Sequence, residues 1–287
     1  MSLSNNARGI LLAGGGVLIL SPDSLLIRLI DIDLWTLMFW RGLFMGLSLL
    51  LLNFSLNHSA PLLAFKQLDK YAWAIAVLMT ISSIFFVSSI QTTSVAHTLI
   101  IVGSVPVVAA VLGIVFLRER VSGNSWMTIA IVVTGLVFVV YDNAKSNVLG
   151  DLYALVTSFL LAANFILARL TSVKNMIAVM SLGGFLIALA SLPLASFDGI
   201  TAQQLWLCML VGTLVGGSFS LITLAPRYIP AAEVAVFMPL ETVFGSLLVW
   251  WFLGENPGVI SLVAGAVIIG AIMLNSYFQI SKASNGA

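Results

Sequence analysis

From Gly9 to Phe278 the chain is an almost continuous succession of apolar runs, each about the length of a helix that crosses a lipid bilayer. Ten can be marked off, at about 9–30, 34–53, 71–90, 94–117, 124–141, 149–169, 176–197, 204–226, 231–253 and 258–278. About 20 helical residues cover a hydrocarbon core of roughly 30 Å. Within lipid the backbone must satisfy its own hydrogen bonds, which restricts spanning structures to helices and closed barrels. Runs of this length predict an all-α polytopic membrane protein with ten transmembrane helices. The connections are short, and the longest, from about Phe54 to Lys70, is too small to fold as a domain.

Composition supports the bilayer as solvent. Hydrophobic residues make up 60% of the 287 and charged residues 8%, against about 25% charged in ordinary soluble domains. A globule of this size still needs a polar exterior, and this chain has too few polar groups to supply one. A net charge of +1 argues against a nucleic-acid partner. Cys208 is the sole cysteine, and His58 and His97 the sole histidines, so no disulfide, metal site or cofactor is expected. The first run is preceded only by Arg8, is interrupted by Pro22-Asp23 and lacks a small-residue cleavage site, so it reads as a retained helix.

The basic residues orient the chain. With the N-terminus in the cytoplasm, Arg8, Lys66, Lys70, Arg118, Arg120, Arg169, Lys174, Arg227 and Lys282 lie at cytoplasmic ends. Arg28 and Lys145 then lie outside, and Arg41 lies within a span. The opposite topology would invert this bias, against the positive-inside rule.

The chain also repeats itself. Ala96–Glu119 (AHTLIIVGSVPVVAAVLGIVFLRE) and Ala232–Glu255 (AEVAVFMPLETVFGSLLVWWFLGE) share one gapless register at an offset of 136, which also pairs Ser82 with Ser218 and Ser125 with Ser261. Gly9–Arg28 aligns with Gly150–Arg169 at an offset of 141, pairing Ala13 with Ala154 and Asp23 with Asn164. Five spans per half is an odd number, so the second half enters the membrane upside down. Arg118-Glu119-Arg120 at the cytoplasmic end of span 4 becomes Gly254-Glu255-Asn256 at the outer end of span 9. The acid is kept and the cations are lost, as inverted placement predicts. The expected halves are 1–143 and 144–287.

Several of these residues are also similar to a known family. Leu224-Ala225-Pro226-Arg227-Tyr228-Ile229-Pro230-Ala231-Ala232, Leu240-Glu241-Thr242 and Leu253-Gly254-Glu255, with Phe39-Trp40-Arg41, Pro106 and Leu117-Arg118-Glu119 in the first half, resemble the EamA-type transporters of the drug/metabolite transporter superfamily. Thr242 stands at the position matching Pro106, where that family often has proline, and Pro239 lies three residues earlier. The resemblance implies an inverted five-plus-five carrier in which helices 1 to 4 and 6 to 9 surround a cavity. It implies cargo among amino acids, other metabolites, vitamins, polyamine-like compounds or drugs, often exported, and a bacterial inner membrane.

Within the spans, ionisable residues are the first site candidates, since charge near mid-bilayer is costly and has to be paired, neutralised or hydrated. Glu241 lies ten residues into span 9, and is read either as a proton or cationic-group site or as a structural hydrogen bond. Arg41 lies seven residues past Leu34, and can bind a substrate carboxylate or neutralise Glu241 or Asp23. Trp40 beside it is read as a cavity wall. Gln91, Ser104, Asn164 and Ser218 complete the substrate-binding candidates, though interhelical pairing is the commoner use of such groups. Pro106 and Pro239 remove helix hydrogen bonds, freeing the carbonyls of Val102 and Ala235, and are read as hinges or static kinks. Glu119 and Glu255 are read as gates on opposite faces or as surface acids ending helices.

Other classes are disfavoured. There is no HExxH, GxSxG or P-loop motif, no ring or filter pattern of a channel, and no extramembrane domain for signalling. The expected function is a secondary transporter exporting small metabolites such as amino acids by alternating access, with proton coupling as an option. A riboflavin-like vitamin or a drug is the rival cargo. Partners are then the cargo and the bilayer, with homodimerisation left open.

Overall fold

The computed structural model describes residues 5–56, 63–93, 95–119, 121–141, 147–171, 175–254 and 258–285. Glu255, and the boundary expected at 143/144, lie outside them. Among the described residues every regular element is helical. In chain order these are α1 (Asn5–Leu20), α2 (Asp23–Ile30), α3 (Leu34–Leu56), the short α4 (Leu63–Lys66), α5 (Lys70–Thr92), α6 (Val95–Val102) and α7 (Val105–Leu112), which runs into a π turn (Gly113–Leu117). They continue with α8 (Gly123–Tyr141), α9 (Val148–Leu170), α10 (Met176–Ser191), α11 (Ala202–Ile222), α12 (Ala231–Ala235), α13 (Pro239–Leu253) and α14 (Gly258–Asn285).

Among the described residues, seven helical segments are long and apolar enough to cross a membrane: Asn5–Ile30, Leu34–Leu56, Lys70–Thr92, Val148–Leu170, Met176–Leu194, Ala202–Arg227 and Ala231–Leu253. Val105–Leu117 and Ala266–Asn275 are shorter apolar helices. Large hydrophobic side chains such as Leu51, Phe116, Phe159 and Trp251 face outward, which is tolerable only against lipid.

Three expected spans are interrupted. Span 1 breaks at Ser21-Pro22, span 4 at Gly103-Ser104 and span 9 at Val236–Met238. Pro106 and Pro239 fall in the first turn of the helix that follows their break. There the missing N–H costs nothing, because first-turn donors have no partner inside the helix. They therefore start new helices at a break in the span, whereas a static kink needs one continuous helix.

Helix packing depends on small residues. At the α3–α10 crossing a Cβ added to Gly184 would lie 2.5 Å from the Gly46 nitrogen and 2.8 Å from the Gly42 carbonyl oxygen. The Ser181 hydroxyl donates to the Gly46 carbonyl at 2.9 Å across the same crossing. Other hydroxyls bridge the two sequence halves: Ser89 donates to Gly150 O, Ser158 to Ile101 O and Thr242 to Leu99 O. Side chains buried in lipid-embedded bundles find such partners routinely, at about 0.6 kcal/mol each. The first ties α5 to α9, and the other two hold α6 between α9 and α13.

Candidate functional site

Two short sequence patterns place acids deep in the bundle. Pro22-Asp23 starts α2 and Pro239-Leu240-Glu241 starts α13, so each carboxylate sits in the first turn of a helix that begins inside the fold. The positive end of the helix dipole favours a negative charge there. Arg41, seven residues along α3, reaches the same region. Its Nη2 donates to Asp23 Oδ2 at 2.7 Å, with both side chains almost wholly buried. Among the described residues, the buried charged side chains are Asp23, Arg41 and Glu241.

All three line one cavity. Leu20, Ser82, Ser83, Phe86 and Val102 of the first half complete it with Thr157, Leu161, Phe219 and Met238 of the second. It offers about 20 Å³ to water, room for about one molecule, so the site is tight. Within it Asp23 Oδ1, Arg41 Nη1 and Glu241 Oε1 have no hydrogen-bond partner in the protein. Buried polar atoms are rarely left so. The arrangement offers one spare donor and two spare acceptors, which suits a small molecule carrying both an anionic and a cationic end.

Residues that the sequence registers equate meet here. Leu20 and Leu161, Ser83 and Phe219, and Val102 and Met238 all line the cavity. The last pair flanks the interruptions of spans 4 and 9, where irregular backbone in a membrane protein is tolerated beside a cavity.

The other sequence candidates lie elsewhere. Trp40 stacks on Phe44 at 5.7 Å and meets Phe39 and Phe197 edge-on, outside the cavity lining. Gln91 is exposed and donates to the Ile32 carbonyl at 3.2 Å. Ser104 and Ser218 donate to carbonyls on their own chain segments, Ile101 O and Val215 O. Asn164 is buried with Oδ1 unpartnered. Asp23, Ser82, Ser83 and Thr157 are cavity residues missing from the sequence candidates. The Pro-Asp step inside an apolar run was the available sign for Asp23.

Glu119 is held at one end of the bundle. Arg169 Nε donates to its Oε1 at 2.6 Å, and the Ala231 amide to its Oε2 at 3.3 Å. The same guanidinium donates to the Pro226 carbonyl. A first-half acid is thereby tied to α9 and to the segment that begins α12.

Long apolar helices, interruptions at mid-bundle and a cavity lined by three buried charged side chains mark a multi-pass membrane protein. The chain belongs to the EamA-like transporter family, whose model matches it twice, at residues 7–141 and 148–277. A protein named "Uncharacterized transporter" from Methanothermobacter thermautotrophicus is 22% identical over 212 residues, 69% of this chain. The alignment spans 62% of that relative's length. A solved structure described as "Crystal structure of protein" superposes with a TM-score of 0.75 over 96% of this chain and 98% of that one, at 14% identity. That is a likeness of fold alone. Family membership points to transport and not to an enzyme.

Proposed function

We propose that the protein is a secondary transporter that exports small zwitterionic metabolites such as amino acids by alternating access. The carrying observation is the tight cavity lined by both sequence halves, whose buried guanidinium and two carboxylates each keep one unpartnered atom. Arg41 Nη1 recognises the cargo carboxylate, and Asp23 and Glu241 recognise its ammonium group. With one cation facing two acids, the site takes up one compensating proton, and a zwitterion, which adds as much negative as positive charge, leaves that balance unchanged. Proton coupling then requires that cargo displace this proton, which transport across an imposed pH gradient tests.

The halves, 1–143 and 144–287, are inverted five-helix repeats that rock about the cavity. Support comes from the two family matches, from the register pairs that meet in the cavity, and from the charge bias that puts both termini in the cytoplasm. A bacterial inner membrane fits this orientation. Glu119 with Arg169 latches the cytoplasmic side, and Glu255 is its counterpart outside. The protein acts without cofactor, metal or nucleic-acid partner, and homodimerisation is compatible with the fold.

The test is uptake and counterflow in proteoliposomes with labelled amino acids, for the parent and for Glu241→Gln and Arg41→Gln. Saturable counterflow that both variants abolish supports the reading. Normal flux in both well-folded variants removes these residues from the site. Flux of a flavin-like ring compound, with none for amino acids, would favour a vitamin carrier.

A further inference from the structure

At the end of the bundle where α2 finishes, Arg28, Asp31, Ile32 and Gln91, with Ile27 and Ile90, line a second, polar cleft of about 280 Å³. Its relation to the central cavity follows from helix geometry. Asp23 and Ile27 are one turn apart on α2, and Phe86 and Ile90 are one turn apart on α5. The first of each pair lines the central cavity and the second lines the cleft. Both isoleucines are buried, at 3% and 0% exposure. The two spaces are therefore separated by one layer of side chains.

The helix carrying half of that layer is jointed at both ends. Pro22 lacks an N–H, so the helical bond to the Leu18 carbonyl is missing where α1 meets α2. The Ser21 hydroxyl turns back to the Val17 carbonyl at 3.0 Å. At the other end Asp31 takes a left-handed conformation, φ 44°, uncommon for a residue other than glycine. Between the joints α2 is an eight-residue rod. The helix its sequence register equates with α1 and α2 is α9, which runs unbroken from Val148 to Leu170. The joints are thus particular to one side of the bundle.

We propose that α2 is a moving gate, with Ile27 and Ile90 as the plug between the central cavity and the polar cleft, which is the vestibule through which cargo passes. Swinging α2 about Ser21-Pro22 withdraws Ile27 and joins the two spaces. The Arg41–Asp23 pair couples this motion to the site, because Asp23 is the first residue of the rod. The identity of the cargo rests on the function proposed above, whereas the plug does not.

The experiment follows labelling by a membrane-impermeant methanethiosulfonate on the full chain in proteoliposomes, in a Cys208→Ser background. Gln91→Cys reports the cleft and Phe86→Cys the cavity, both read from the face that reaches Gln91→Cys. Gln91→Cys reacts fast and Phe86→Cys slowly. Adding Ile27→Ala or Ile90→Ala to Phe86→Cys raises its rate at least tenfold, and the outward-facing Leu29→Ala does not. The milder Ile27→Val, judged by thermal unfolding, carries the test if an alanine variant is unstable, with a rise of a few-fold. An unchanged Phe86→Cys rate in the isoleucine variants, or an equal rise with Leu29→Ala, overturns the gate. Labelling needs no cargo, so a plug that behaves as stated in a protein with no amino-acid flux refutes the cargo alone.

Discussion

Arg41 is the cation that faces two buried acids, bonded to Asp23 and lining one cavity with Glu241, and removing it should cost more than removing the acid it touches. Arg41 and Asp23 are 3% and 2% exposed and bonded at 2.7 Å, while Glu241, also 3% exposed, lines the same cavity. Arg41→Gln leaves two carboxylates without a cation, and stranding charge in this way costs about 3–5 kcal/mol. At roughly 2–4 °C per kcal/mol for a large domain, unfolding should fall by on the order of 10 °C. Asp23→Asn leaves Arg41 lining the same cavity as Glu241, so its cost should stay below that of a fully stranded charge. The double variant should cost less than the sum of the singles, by about 1 kcal/mol or more. The assay is thermal unfolding of detergent-purified protein at one scan rate for all four proteins. Equal single costs that add within about 0.5 kcal/mol would refute the shared-cation reasoning.

Further outcomes follow from packing and from the latch. Gly184→Ala puts a methyl 2.5 Å from the Gly46 nitrogen and should destabilise by about 1–3 kcal/mol. Gly217→Ala meets nothing within 4 Å and should be neutral or slightly stabilising, both read as shifts in unfolding temperature. Gly254, at φ 72°, should lose about 1 kcal/mol on change to alanine. Arg118, its counterpart in the repeat, at φ 54°, should tolerate glycine without loss. Glu119→Gln weakens a partly solvated ion pair and should change stability by no more than about 1 kcal/mol. The same change should speed thiol labelling of Leu161→Cys from the face opposite Gln91.

The membrane class and the depth of Arg41 and Glu241 in the fold were legible in the sequence, because isolated charge inside apolar runs has few uses. Pairing was legible in part. Its place in the sequence lets Arg41 neutralise Glu241 or Asp23, and the structure bonds it to Asp23; the sequence leaves the choice open because three separate segments converge there. Arg169 was visible as a basic helix end, but its bond to Glu119 spans 50 positions and no local pattern marks it. Prolines in spans 4 and 9 suggested hinges or static kinks within continuous helices. Pro106 follows Gly103-Ser104, and Pro239 follows Val236–Met238, which already leave the helix, so each proline opens a new one. Trp40 read as a cavity wall from its depth and its place beside Arg41, whereas Phe197, 157 positions away, completes an aromatic cluster around it.

The account depends on two halves that face opposite sides of the membrane around one cavity. Arg118→Cys and Leu253→Cys, each introduced into a Cys208→Ser chain in intact cells and in inside-out vesicles, test this with an impermeant thiol reagent. Labelling of position 253 in cells and of position 118 in inverted vesicles is the predicted result. Labelling of both from the same side would contradict the opposed arrangement, and with it alternating access between inverted repeats.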